Sequence, residues 1–145
     1  IRFIFTDGVQ MTDKKVMQLA QEMINFFTEI CHFESKEDIF LFINEGLAED
    51  RYGDTTFVDD SGYCLIRLAN RKETTKKQLE ETICHEYAHI LTREFFIFYD
   101  NFIGLEEGDK NNIAHNIFTQ IGETIAKRIT RILLALWQNN QLKEI

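Results

Sequence analysis

Two histidines, His85 and His89, stand four residues apart in "ETICHEYAHIL", and Glu86 directly follows the first. On a helix, residues i and i+4 share a face, so both imidazoles can direct a ring nitrogen at one point. Glu86 lies about 100° further round the axis. That offset keeps it out of a shared ligand set and leaves it beside whatever the histidines bind. The pattern fits H-E-x-x-H, in which two imidazoles bind zinc and the glutamate is the general base. A zinc ion with three protein ligands keeps a fourth position for water and lowers that water's pKa to ~7. Glu86 would take the proton as the oxygen attacks a carbonyl, then pass it to the leaving amine. The chain holds only four histidines, and two of them meet the required spacing. Chance placement on a helix surface is the weaker account.

Chemistry of this kind needs a helix to carry it and other elements to aim it. Thr75 with Gln78 three residues on predicts a capping box, and Leu79, Ile83, Tyr87, Ile90 and Leu91 supply the core face of a helix that follows. Upstream, "YCLIRLA" alternates Tyr63, Leu65 and Arg67 against Cys64, Ile66 and Leu68. With "DTTFV" before it and the turn-like "DDSG" between, this reads as a β-hairpin. The run "IFLFIN" (39–44) reads as a buried strand, and "IRFIF" (1–5), ended by "TDG", as another. Between them, Val16, Leu19, Ala20, Met23, Ile24, Phe27 and Ile30 recur at helical spacing, predicting a helix over roughly 12–32. After the metal-type helix, residues 93–109 read as a helix end and a long loop. Asp109 is placed to cap a third helix bearing Ile113, Ile117, Ile121, Ile125, Ile129 and Leu133, with Gly122 a point for a kink. The order is that of an α+β domain. No proline-rich linker or repeat divides it, so residues 1–145 are expected to form one domain.

Composition excludes several function classes. The net charge of −8 repels phosphate backbones, so direct nucleic-acid binding is not expected. Apolar runs such as "FFIF" and "ILLALW" are far too short to span a bilayer, and the residues from Ile1 onward do not read as a signal segment. The three cysteines (Cys31, Cys64 and Cys84) are odd in number and lack C-x-x-C spacing, which argues against a disulfide framework. A reducing, cytoplasmic setting follows as the expectation.

The stretch "LEETICHEYAHIL", preceded by "YCLIRLA", resembles the core of the zincin metallopeptidases. The likeness is to their small members: SprT-like, repressor-cleaving ImmA-like and short phage-encoded zincins, over roughly residues 55–125. The resemblance implies a zincin-like fold, with a small twisted sheet packed on an N-terminal helix and the active-site helix, and a long C-terminal helix following. It also implies a zinc ion on His85 and His89, Glu86 as catalytic base and acid, and hydrolysis of peptide bonds. The metzincin continuation would need Gly at 92 and His at 95, where Thr92 and Phe95 stand, so that subfamily is excluded. His115, in "AHNIFTQIG", resembles the SprT-like H-G-x-x-F element, with Asn116 in place of Gly and Phe118 one residue early. It is the first candidate for third ligand. Glu123, in "GETIAKRI", resembles the glutamate helix of gluzincins and is the alternative, with Glu106 and Glu107 behind it. Positions 115 and 123 lie about 80° apart on a helix, so one can bind metal while the other faces the same cavity. Glu123 also lies opposite Ile121 and Ile125, as a solvated helix face would.

The expected function is zinc-dependent cleavage of a protein or peptide substrate held in extended form against the strand nearest the cleft. Residues 63–68 are the first choice for that edge. The alternative is a zincin scaffold serving as a binding or structural module, in a phage particle for example. A DNA-linked protease of the SprT kind conflicts with the acidic balance unless a basic domain lies elsewhere. His32 has no partner at metal spacing. Cys84 is read as packing. Tyr87 is read as core, although Tyr87 or Tyr99 could stabilise an oxyanion. The aromatics of 95–102 read as core or a folded loop.

Overall fold

The computed structural model describes residues 11–31, 38–58, 63–93 and 113–143. They form three helices, α1 (Asp13–Ile30), α2 (Lys76–Leu91) and α3 (Ile113–Lys143), and three strands, β1 (Asp38–Ile43), β2 (Gly53–Val58) and β3 (Tyr63–Leu68). The chain is α+β among the described residues. The expected strand at 1–5, the cap at Asp109, and the readings of His32, Tyr99, Glu106, Glu107 and the 95–102 aromatics lie outside them. No described helix is long and apolar enough to cross a membrane.

The hairpin forms as its alternation predicts. β2 and β3 pair antiparallel, with Gly53 opposite Leu68 and Val58 opposite Tyr63. Cys64, Ile66 and Leu68 point into the core, while Tyr63 stays exposed. β1 adds parallel to the other side of β3, giving the order β1-β3-β2. This overturns the choice of 63–68 as the edge near the cleft. β3 is central and its core face, Cys64, Ile66 and Leu68, is fully buried, while β1 and the more polar β2 flank it as the edges among the described strands.

Helix α1 begins where Thr12 accepts from the Lys15 amide and buries Val16, Leu19, Ala20, Met23, Ile24 and Phe27. Helix α2 begins with the full capping box. Thr75 accepts from the Gln78 amide at 3.2 Å, and the Gln78 side chain accepts from the Thr75 amide at 3.0 Å. Two otherwise orphaned donors are satisfied together. α2 is the hub, touching α1, α3, β2 and β3. Tyr87 and Cys84 are fully buried on it, as read from the sequence. The Tyr87 hydroxyl meets Thr28 of α1 at 3.0 Å, so it is committed to the core.

Helix α3 departs from expectation on its apolar face. Ile117 and Ile121 are exposed, and the buried seam runs through Gly122, Ala126, Leu133 and Trp137. A strict i+4 stripe turns about 40° per step, so it leaves a straight seam after two or three residues. Among the described side chains of the stripe, its far end, Ile129 and Leu133, meets the core. The helix is continuous through Gly122. The Trp137 indole N–H donates to Glu80 of α2, and its ring meets Phe26 of α1 edge-on at 5.6 Å. These contacts pin α3 along α2, which decides where Glu123 falls.

Candidate metal centre

α2 presents His85 and His89 on one face. Their Nε2 atoms lie 3.1 Å apart, with the rings perpendicular at 4.6 Å. From α3, Glu123 reaches the same point, with Oε2 at 3.8 Å from His85 Nε2 and Oε1 at 3.6 Å from His89 Nε2. One donor atom from each of the three lies within 4.8 Å of the others. A tetrahedral ion about 2.1 Å from each donor would set the donors roughly 3.4 Å apart. The observed spacings bracket that figure. Two imidazoles and one carboxylate are also a donor set that catalytic zinc sites use. These residues fit a zinc ion.

The sequence named Glu123 as the alternative third ligand, and the fold brings it to the histidines. His115 lies two turns earlier in α3, and its side chain is outside the described residues. Eight residues of helical rise separate the two positions by about 12 Å along the axis.

Glu86 stands outside this trio, on the side of β2, and lines the same cleft. It is 4% exposed, and its Oε1 accepts from the Thr55 hydroxyl at 2.8 Å. Burial pushes its carboxyl up to about 7; the Thr55 bond and the charge of Arg51 oppose the rise, while Asp54 and Glu123 add to it. A base poised near neutrality suits general acid–base work. Burial also holds both histidines below the usual imidazole range. Glu123 opposes this at each, and His85 adds to it at His89. Neutral imidazole, the form that binds metal, is favoured in consequence.

β2 brings the second wall close. A Cβ on Gly53 would meet the Thr82 methyl at 2.6 Å and Glu86 Cγ at 3.4 Å, so glycine lets the edge strand approach α2. Asp54 takes two 2.8 Å bonds from the Arg67 guanidinium opposite it on β3, which anchors the edge and neutralises that carboxylate. Between the walls lies a cleft of ≈ 450 Å³ lined by Arg51, Asp54, Thr55 and Phe57 together with His85, Glu86, His89 and Glu123. It adjoins a second lobe of ≈ 410 Å³ bordered by Arg51, Tyr52, Glu81, Thr82 and Thr130. Thr55, Arg51 and Thr130 escaped the sequence reading. "DTTFV" carries no mark of a site, whereas Thr130 stands seven residues after Glu123 and so shares its helix face.

No protein-family model matches the chain, and no curated protein or solved structure is detectably similar to it.

Proposed function

We propose that the chain is a small zincin-like metallopeptidase that hydrolyses peptide bonds in a protein or peptide substrate. One observation supports this most: His85, His89 and Glu123 converge on a single point, while a separate, buried carboxylate stands beside them against β2, an edge strand among the described residues. A structural metal site needs no such carboxylate. Bound there, zinc supplies Lewis acidity toward a carbonyl and a water made acidic enough to lose its proton near neutral pH. The chain's own residues do the rest. Glu86 accepts the water's proton and returns it to the leaving amine. Thr55 holds Glu86 in the rotamer that faces the cleft. β2 offers its outer backbone groups to an extended peptide, which aligns the scissile bond over the trio. Tyr87, bonded to Thr28 in the core, plays no part in the oxyanion.

The zinc-loaded chain is expected to cleave an unfolded protein, to stop when a chelator removes the metal, and to resume on zinc addition. Zinc binding without cleavage across a broad peptide library would instead establish a non-enzymatic zinc module. Failure to retain zinc would defeat both readings.

Substrate preference has a local source. Asp54 is engaged by Arg67, Glu86 by Thr55, and Glu123 by the histidines. That leaves Arg51 as the cleft's cation without a carboxylate partner among the described residues. Peptides with Asp or Glu near the scissile bond should be cleaved faster than their amide counterparts. Arg51→Glu should reverse the order, read as the ratio of kcat/KM values for matched peptides. An unchanged ratio would remove Arg51 from specificity.

A further inference from the structure

Helix α3 meets the metal-binding helix at a second polar point. Thr130 Oγ lies 3.3 Å from Nδ1 of His85, the ring nitrogen on the side away from the metal trio. The same oxygen lies 2.7 Å from the carbonyl of Ala126, one turn back in its own helix. A hydroxyl has one proton to give. The shorter contact, to an acceptor that can only accept, claims that proton. Toward His85 the Thr130 oxygen is therefore left with its lone pairs, and it can only accept.

We infer that Thr130 is a positioning residue that fixes His85 as the Nδ1–H tautomer and so keeps its Nε2 lone pair directed at the metal point. The inference rests on the metallopeptidase reading only insofar as that reading supplies the metal. The same orientation accounts for the 3.1 Å approach of the two Nε2 atoms: with the His85 nitrogen an acceptor, the His89 nitrogen can donate to it until a cation takes the proton's place. Histidine ligands in metal sites commonly depend on such a partner at the other ring nitrogen, and losing it typically costs 10–100-fold in affinity.

The arrangement is economical in sequence. Glu123 and Thr130 are seven residues apart, so they stand about 20° from one another on the same face of α3, two turns apart. Ala126 lies between them, fully buried. One helix face thus delivers both a ligand and the group that orients another ligand. A displacement of α3 that weakened one contact would weaken the other with it.

The test compares Thr130→Val, which keeps the shape and loses the acceptor, with Thr130→Ser, which keeps the hydroxyl. Zinc affinity is read by competition with a chelating dye. Thr130→Val should bind zinc about 10–100-fold more weakly, and Thr130→Ser should stay near the unaltered chain. The second readout uses zinc-free protein at mildly alkaline pH. Long-range ¹H–¹⁵N correlation spectra should show the His85 proton on Nδ1 in the unaltered chain and in Thr130→Ser, and a loss of that preference in Thr130→Val. Thermal unfolding of the zinc-free variants separates this from damage to helix docking. A Thr130→Val chain with full zinc affinity would overturn the inference. So would one whose affinity falls while the His85 tautomer stays unchanged, and so would an Nε2–H tautomer in the unaltered chain. If the unaltered chain binds no zinc, the proposed function fails, while the tautomer spectra still decide what Thr130 does.

Discussion

Glu86→Gln should bind zinc like the unaltered chain and lose about 10²–10⁴-fold in hydrolysis, the span ascribed to a positioned acid–base group. Glutamine keeps the volume and can still meet the Thr55 hydroxyl, so the cleft wall stays in place. What disappears is the capacity to hold a proton and release it. The same substitution should stabilise the zinc-free protein at neutral and higher pH. Burial raises the Glu86 carboxyl from an ordinary 4.5 to about 7. The folded state therefore holds this proton more tightly than the unfolded chain does, and that advantage is present in full below pH 4.5. It is lost as pH rises through 7, because the buried carboxylate must then ionise. Glutamine never ionises, so the variant escapes the penalty. The expected gain over the unaltered chain is near zero at pH 4 and about 3 kcal/mol at pH 8. Urea unfolding at the two pH values measures it. Equal stabilities at pH 8 would mean that Glu86 is not held in a costly ionised state, and retained hydrolysis would remove it from the mechanism.

The second large effect concerns what completes the metal site. Glu123→Ala should lower zinc affinity by at least about 100-fold, more than the usual loss of an outer hydrogen-bond partner, because a directly bonded donor is gone. His115→Ala should leave affinity nearly unchanged. The roughly 12 Å of helix between the two positions makes their removal independent. Titration of each variant against a zinc-buffered dye decides the matter, and the reverse pattern would return the third position to His115. Activity alone is a poorer measure, since either residue could touch substrate.

Much of this site was legible residue by residue. The H-E-x-x-H spacing, the capping box and the alternation of 63–68 are short-range signals, and each corresponds to a local geometric rule. The placement of Glu123 was harder for a physical reason. Which face of α3 meets α2 depends on side chains far apart in sequence, chiefly Trp137 reaching Glu80 and Phe26. The isoleucine stripe pointed to a different face, since Ile117 and Ile121 look as apolar on paper as Ala126 does. The edge strand was likewise a topological fact: nothing within "YCLIRLA" reports that β1 will pair on its far side. Thr55 became visible only with that order known, because its role exists only where β2 faces α2.

The pairing of β2 with β3 carries a consequence for how insertions are tolerated. Thr55 pairs with Ile66 and looks toward α2, while its neighbour Asp54 pairs with Arg67 on the opposite face. Successive strand residues alternate sides, so a slip of one position would swap the two sets. Asp54 or Thr56 would then stand where Thr55 stands, and in the first case a carboxylate would confront Glu86. Added residues between paired strands usually cost little in chain entropy. Here the register is counted by chemistry: one added residue that shifts the ladder can leave the fold standing and take Thr55 away from Glu86.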